Sequence, residues 1–206
     1  TVIHLGGYSN DPTAEFSPER TLAVNVEGTL KLLRMAEDAQ VERFILASSA
    51  SLYDREAESL EVLDETAEID PQSTYSHSKA ICEKVLFKSL IPVKVALRKG
   101  TLFGWSPRMR WDLVVNTMVR DAVVSQQITM FAGGEMWRPL LHVSDAASTY
   151  IWAMESHPAL VAGHIFNVVQ ANVQVKQIAQ WITEVWAGIT VVDRDAPGKV
   201  RDYRIS

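Results

Sequence analysis

Apolar residues in this chain fall into short unbroken runs, and stretches of helical period separate them. Val2-Ile3-His4-Leu5, Phe44-Ile45-Leu46-Ala47 and Val93 to Leu97 are near-continuous runs of strand length, the pattern of strands covered on both faces. Between the first two, Leu22, Val26, Leu30, Leu33 and Ala36 recur at helical spacing. They follow Ser17-Pro18, which suits a helix start with Ser17 as cap and Pro18 in the first turn. The pattern predicts a fully buried strand over 1–5, a helix over about 18–39 and a buried strand over 43–48. A helix over about 74–90, after Pro71, and a strand over 92–98 continue the alternation. Strand, helix and strand in this order make right-handed βαβ units of a parallel sheet.

Beyond residue 104 the elements shorten, and tryptophan and arginine become commoner. The spacing predicts a helix over 112–123, a strand over 127–131 closed by Gly133-Gly134, and an extended run over 137–143. A helix over 145–156 capped by Ser144, a strand over 164–169, an amphipathic helix over 174–186 and a strand over 189–193 follow. No internal repeat or linker separates the halves. The expected organisation is 1–104 in a parallel-sheet domain and 105–206 mainly in a smaller mixed α/β domain, interleaved with the sheet's last elements at about 140–170.

Composition narrows the class. Of 206 residues, 47% are hydrophobic and 22% charged, as in globular proteins. A net charge of −5 argues against a nucleic-acid surface. The single cysteine, Cys82, excludes an internal disulfide and fits a reducing cytoplasm. No run has the length of a membrane span. Residues 54–70 are rich in Asp and Glu and read as a solvated loop, without the spacing of a metal site.

Two stretches carry chemistry. Tyr75 and Lys79 stand four apart, so a helix places them on one face. An ammonium beside a phenol favours the phenolate and lowers its pKa from about 10, which suits proton exchange with a hydroxyl or carbonyl. Ser49, at the end of a buried strand, can hydrogen-bond the same oxygen. Gly6-Gly7 is either a tight turn or a place where backbone approaches a ligand. It falls at the carboxyl end of a strand, as do Ser48-Ser49 and Gly100, where open α/β sheets bind ligands.

Six blocks in order then resemble an extended short-chain dehydrogenase/reductase of the NAD-dependent epimerase/dehydratase family. They are Val2 to Gly7; Asn25-Val26-Glu27-Gly28-Thr29; Ser48-Ser49-Ala50-Ser51-Leu52-Tyr53; Asp64-Glu65, Pro71 and Tyr75 to Lys79; Arg98 to Gly104; and Arg138 to Asp145, with Phe166-Asn167-Val168 after it. Asp54 replaces the family's glycine, and Thr101 an asparagine of some sugar epimerases.

The resemblance implies a partial Rossmann-type doubly wound parallel sheet, its first βαβ units and glycine-rich phosphate loop lying before residue 1, with a smaller substrate domain. It implies Ser49, Tyr75 and Lys79 as catalytic residues. It places NAD, with NADP left open, against Leu5, Gly6, Gly7, Asn25, Ser48, Tyr75, Lys79 and Gly100. Ser49, Ser51, Asn116 and Arg138 would bind a nucleotide-sugar substrate, Arg138 through its diphosphate. No metal is expected, and His142 is read as a packed structural histidine. The implied activity is nucleotide-sugar epimerisation. Ala50-Ser51 stand where the family's 4,6-dehydratases carry Asp-Glu, which disfavours dehydration. A ketone or keto-sugar reductase, or a non-catalytic cofactor-sensing regulator on the same fold, stays open. The family also implies a cytoplasmic homodimer through the helices near 18–39 and 74–90.

Overall fold

Four strands, Val2–His4, Arg43–Ser49, Val93–Lys99 and His164–Val168, lie side by side in a parallel sheet, with the second and third at its centre. The structure is a computed structural model that describes residues 1–54, 61–196 and 201–206. Part of the acidic stretch, 55–60, lies outside the described residues.

Strand periodicity explains why the central runs are apolar throughout. Phe44, Leu46 and Ala96 point to one face and pack with Leu33, Ala36 and Leu86 from the helices Gly28–Asp38 and Thr74–Lys88. Ile45, Val95 and Leu97 point to the other and pack with Ala146 and Ala153 of the helix Val143–Glu155. Helices on both faces of a parallel sheet make the doubly wound α/β architecture. A separate core around Met118, Ile128, Leu140 and Ile178 holds the second half. There Gln127–Phe131 pairs in parallel with Thr190–Arg194. Trp137–His142 pairs with both Thr101–Phe103 and Ala171–Gln174.

Several expectations need correcting. The first strand is not fully buried: among the described residues it pairs on one side alone, with Arg43–Ser49, and Ile3 remains 37% exposed. Ser17 does not cap with its side chain. A helix Asp11–Phe16, capped by Asn10 with Pro12 in its first turn, precedes it. The helix Val143–Glu155 is capped by the His142 ring, which accepts from the Ser144 backbone, and not by Ser144.

The long helix expected over 18–39 is interrupted. Pro18–Leu22 passes into a π-helical segment, Ala23–Glu27, before Gly28–Asp38 resumes. A π-turn misaligns the ladder of backbone bonds. The Asn25 carbonyl here accepts side-chain bonds from Thr29 Oγ1 at 2.5 Å and Cys82 Sγ at 3.2 Å. The free cysteine is thus buried between the two helices, where it acts as a small apolar donor.

Arg43 ties the sheet to the helix Val143–Glu155. It donates to the carbonyls of Ala153, Met154 and Ser156 at 2.5–2.8 Å, placing a buried cation at the helix's negative end. Arg43→Met strands those carbonyls and should lower stability by about 1–3 kcal/mol, read as a fall in the urea midpoint with unchanged slope.

Candidate active site

Ser49 ends the strand Arg43–Ser49, and the following turn, Ala50–Tyr53, is wholly buried. Its hydroxyl lies 2.9 Å from that of Ser51 and accepts from the Ser51 backbone at 3.2 Å. Tyr75 sits in the first turn of Thr74–Lys88. That turn is fixed by a capping box between Ser73 and Ser76. The Ser73 hydroxyl donates to Asp11 at 2.7 Å, and the Thr74 amide to Glu15 at 2.8 Å. Two carboxylates at the positive end of the helix also favour its dipole.

One turn on, Lys79 is buried, its ammonium 5.9 Å from the centre of the Tyr75 ring. Burial holds its amine below the usual 10.5, while Cys82 and Glu83 pull it up. The Tyr75 phenol does not follow the expectation that Lys79 lowers it. Burial raises it above its ordinary value of 10.0, against smaller downward pulls from the Ser49 hydrogen bond, Arg110 and Arg201. Desolvation of the anion outweighs the neighbouring cations here.

The helix is pinned to the sheet by a buried ion pair. Arg98 Nε and Nη2 donate to the two oxygens of Glu83 at 3.0 and 2.7 Å, a bidentate match of fork to carboxylate. Both side chains are about 5% exposed. The Ser48 hydroxyl donates to the same carboxylate at 2.5 Å. Arg98 Nη1 donates to the Tyr53 hydroxyl at 2.6 Å, which donates to Asn167 at 3.0 Å. One network therefore joins the ends of three parallel strands to the helix of Tyr75.

A second clamp starts from Asn25 in the π-segment. Its amide nitrogen donates to Ser78 Oγ at 2.9 Å and to the Tyr8 carbonyl at 3.0 Å, and its oxygen accepts from the Tyr8 amide at 2.7 Å. It locks the loop after the first strand to the Tyr75 helix. Gly7, at φ 130°, sits so close that a Cβ would come within 2.6 Å of the Asn25 oxygen. At Gly100 a Cβ would meet the Pro139 carbonyl at 2.6 Å, so protein packing alone requires glycine there.

The substrate-side candidates reach Tyr75 through two arginines. Asn116 is buried, accepts from the Gly104 amide at 3.3 Å, and donates to the Arg110 carbonyl at 2.9 Å. Arg110 acts on the Tyr75 charge and pairs with Asp112 at 2.6 Å. Arg138 donates to its neighbour's carbonyl and to that of Arg201. Arg201 in turn pairs with Asp11 and, at 2.8 Å, with Asp54. The aspartate that replaces the family's glycine is thus a buried anchor for Arg201. Of the remaining cofactor candidates, Leu5 is 62% exposed beside Gly6, while the Ser48 side chain is committed to Glu83.

The sequence reading missed Glu83, Lys99, Arg110, Tyr150 and Arg201. Glu83 had a signal, standing four residues beyond Lys79 among apolar neighbours. Lys99 had one too, as a second cation closing an apolar strand. Among the described residues, no cluster of histidine, cysteine and carboxylate side chains could hold a metal.

The family model for the NAD dependent epimerase/dehydratase family matches residues 1–168. The chain belongs to that family. Its relatives include UDP-glucuronic acid decarboxylase 1 of Xenopus tropicalis, 28% identical over 162 residues, covering 76% of this chain and 38% of that protein. The uncharacterized UDP-glucose epimerase YtcB of Bacillus subtilis is 27% identical over 150 residues, 71% of this chain and 45% of that one. The chain therefore spans less than half the length of these curated relatives. Its fold is similar to that of MoeE5 in complex with UDP-glucuronic acid and NAD, with TM-score 0.86 and 23% identity over 100% of this chain and 69% of that one. Proteins named for different reactions, a decarboxylase and an epimerase, are thus among the relatives, so the reaction must be argued from the site.

Breaking the buried pair gives a direct check on the geometry. Arg98→Met leaves the Glu83 carboxylate buried without its partner and should cost about 3–5 kcal/mol, seen as a large drop in the urea midpoint.

Proposed function

We propose that this chain carries the acid/base centre of an NAD-dependent epimerase acting on a nucleotide-diphosphate sugar, with Ser49, Tyr75 and Lys79 as its catalytic residues. The observation that supports this reading is the Lys79 ammonium 5.9 Å from the centre of the Tyr75 ring, on a helix that Glu83–Arg98 and Asn25–Ser78 hold against the strand ends, one of them closed by Ser49.

The residues present suit a dinucleotide. Leu5 offers an exposed apolar wall, and Gly6-Gly7 bare backbone beside it. Lys79 offers a buried amine whose local pull comes from Cys82 and Glu83, suited to donating to a ribose diol. NAD would be held by these groups with Asn25, Ser48 and Gly100 supporting the loops around them, and NADP is not distinguished. The dinucleotide, when bound, supplies hydride acceptance and return.

Tyr75 moves the proton. In its ionised form the phenolate oxygen takes the proton of a sugar hydroxyl as that carbon is oxidised, becoming the phenol, and gives the proton back when the carbonyl is reduced from the other face. Ser49, steadied by Ser51, orients the same oxygen. Arg110, Arg201 and the Ser49 bond each favour the phenolate and offset part of the burial that opposes it. Arg138 suits a diphosphate because its forked donors match phosphate oxygens. Asn116 shapes that side by holding Arg110. Ala50 and Ser51 bring no acid to the sugar's C5 and C6, which weighs against dehydration.

Outer faces of the helices near 18–39 and 74–90 expose Leu22, Val24, Met35 and Ile81. These support a homodimer through that face. A cytoplasmic location fits the free cysteine, and among the described residues no helix is long and apolar enough to cross a membrane.

In the full-length gene product, Tyr75→Phe should lower kcat for nucleotide-sugar epimerisation by about 10²–10⁴-fold with KM nearly unchanged. Undiminished turnover overturns the assignment. Light scattering of the same protein should give twice the chain mass, and a monomer contradicts the dimer.

A further inference from the structure

A second amine approaches the site from the opposite face of the sheet. Lys99 closes the strand Val93–Lys99, level with Ser49 on the neighbouring strand. Strand alternation sends Arg98 toward Glu83 and Lys99 to the other face, against the helix Val143–Glu155. There its ammonium donates to the Tyr150 hydroxyl at 2.7 Å and to the Ser48 carbonyl at 3.1 Å, and lies 5.2 Å from the centre of the Tyr150 ring. Both hydrogen-bond partners are neutral.

The charged group acting on Lys99 is Lys79, from the helix Thr74–Lys88. Tyr150 in turn feels the Tyr75 phenol and is pushed up by burial. Two amine–phenol pairs, Lys79 with Tyr75 and Lys99 with Tyr150, therefore meet at the end of the sheet. The proton transfer assigned to Tyr75 does not use the second pair. An ammonium among neutral partners is unfavourable, and neither the sheet nor the helix needs a charge there.

Taking the site to be the dinucleotide-dependent one proposed above, we propose that Lys99 sets the charge felt by the dinucleotide. Its ammonium, chain neighbour to Gly100 and bonded to the Ser48 carbonyl, disfavours the oxidised, cationic nicotinamide relative to the reduced, neutral one. A site that holds the reduced form more tightly draws hydride from the sugar more readily. Burial and repulsion by Lys79 bring the Lys99 amine down to about 7. The charge is therefore present in mildly acid solution and lost in mildly alkaline solution, and the preference follows it. In the nucleotide-free protein burial raises the Tyr150 and Tyr75 phenols above their ordinary value, away from that range. Lys79 is the remaining cation facing the amine.

The test uses the full-length gene product and calorimetric dissociation constants for NAD⁺ and NADH at about pH 6 and about pH 8.5, on either side of the amine. The preference for NADH should be about threefold or more greater at the lower pH, a modest effect of like charges at a partly screened site. Lys99→Met should hold the alkaline preference at both pH values. Lys99→Arg, permanently charged, should hold the acid preference at both. A wild-type preference that does not move with pH overturns the proposal, as does a Lys99→Arg protein that moves like the wild type. Should Lys99→Met fail to fold, Lys99→Arg decides alone. If both nucleotides bind with no Lys99 effect, the charge-setting role falls and the dinucleotide site stands. If the wild type binds neither nucleotide, both fall together.

Discussion

A carboxylate and a guanidinium taken out of water must satisfy each other almost completely, because a lone buried charge is far more costly than the pair. In this chain Glu83 and Arg98 meet that condition, and the geometry they impose reaches every catalytic candidate. Glu83 lies four residues beyond Lys79 and eight beyond Tyr75, on one helix. Arg98 lies on the strand that pairs with the strand of Ser49. The two parallel bonds between them fix the helix in both rotation and translation against the strand ends. Ser48 and Tyr53 occupy remaining oxygen and nitrogen valences, so sliding the helix by one turn would break several buried bonds at once. The pair's net contribution to stability is modest by nature, and its value here is register.

The Asn25 clamp works on the opposite side of the helix. A π-segment is a poor way to build a helix, yet it turns Asn25 inward, where one side chain joins the Tyr8 loop to Ser78. The Asn25 carbonyl is met by Thr29 and Cys82. Local irregularity is thus stabilised by contacts between helices and used to hold the glycine loop beside Lys79. With the helix fixed from two sides, Tyr75 needs little reorganisation to meet a substrate oxygen. Preorganisation of this kind is a main source of catalytic power.

The parallel sheet was legible because its central strands are covered on both faces and so lose the polar alternation of a half-exposed strand. Ser49, Tyr75 and Lys79 were legible as residue types at strand-end and i,i+4 positions. The half-exposure of the first strand was not, since an apolar run does not state how many neighbours it has. The π-segment was hidden because Leu22, Val26, Leu30 and Leu33 keep helical spacing through it. Arg201 and Asp54 lie far apart in sequence, and their pairing depends on tertiary closure that no local pattern encodes. The direction of the Tyr75 shift was misjudged for a related reason. An i,i+4 ammonium is visible in sequence, whereas the depth of burial that outweighs it is visible only in three dimensions.

Together these constraints fit the proton-carrier role proposed for Tyr75, a phenol whose pKa burial raises and the nearby cations and Ser49 lower. Such a group suits reversible oxidation at a hydroxyl-bearing carbon, in which the carbon-bound hydrogen leaves as hydride and returns to the opposite face. The most direct measurement follows that hydrogen. A nucleotide sugar deuterated at the reacting carbon should be converted by the full-length gene product, in ordinary water, to an epimer that keeps its deuterium there. Loss of the deuterium to solvent would contradict the account, because it would place proton abstraction from carbon, and not from the hydroxyl, at the centre of the reaction.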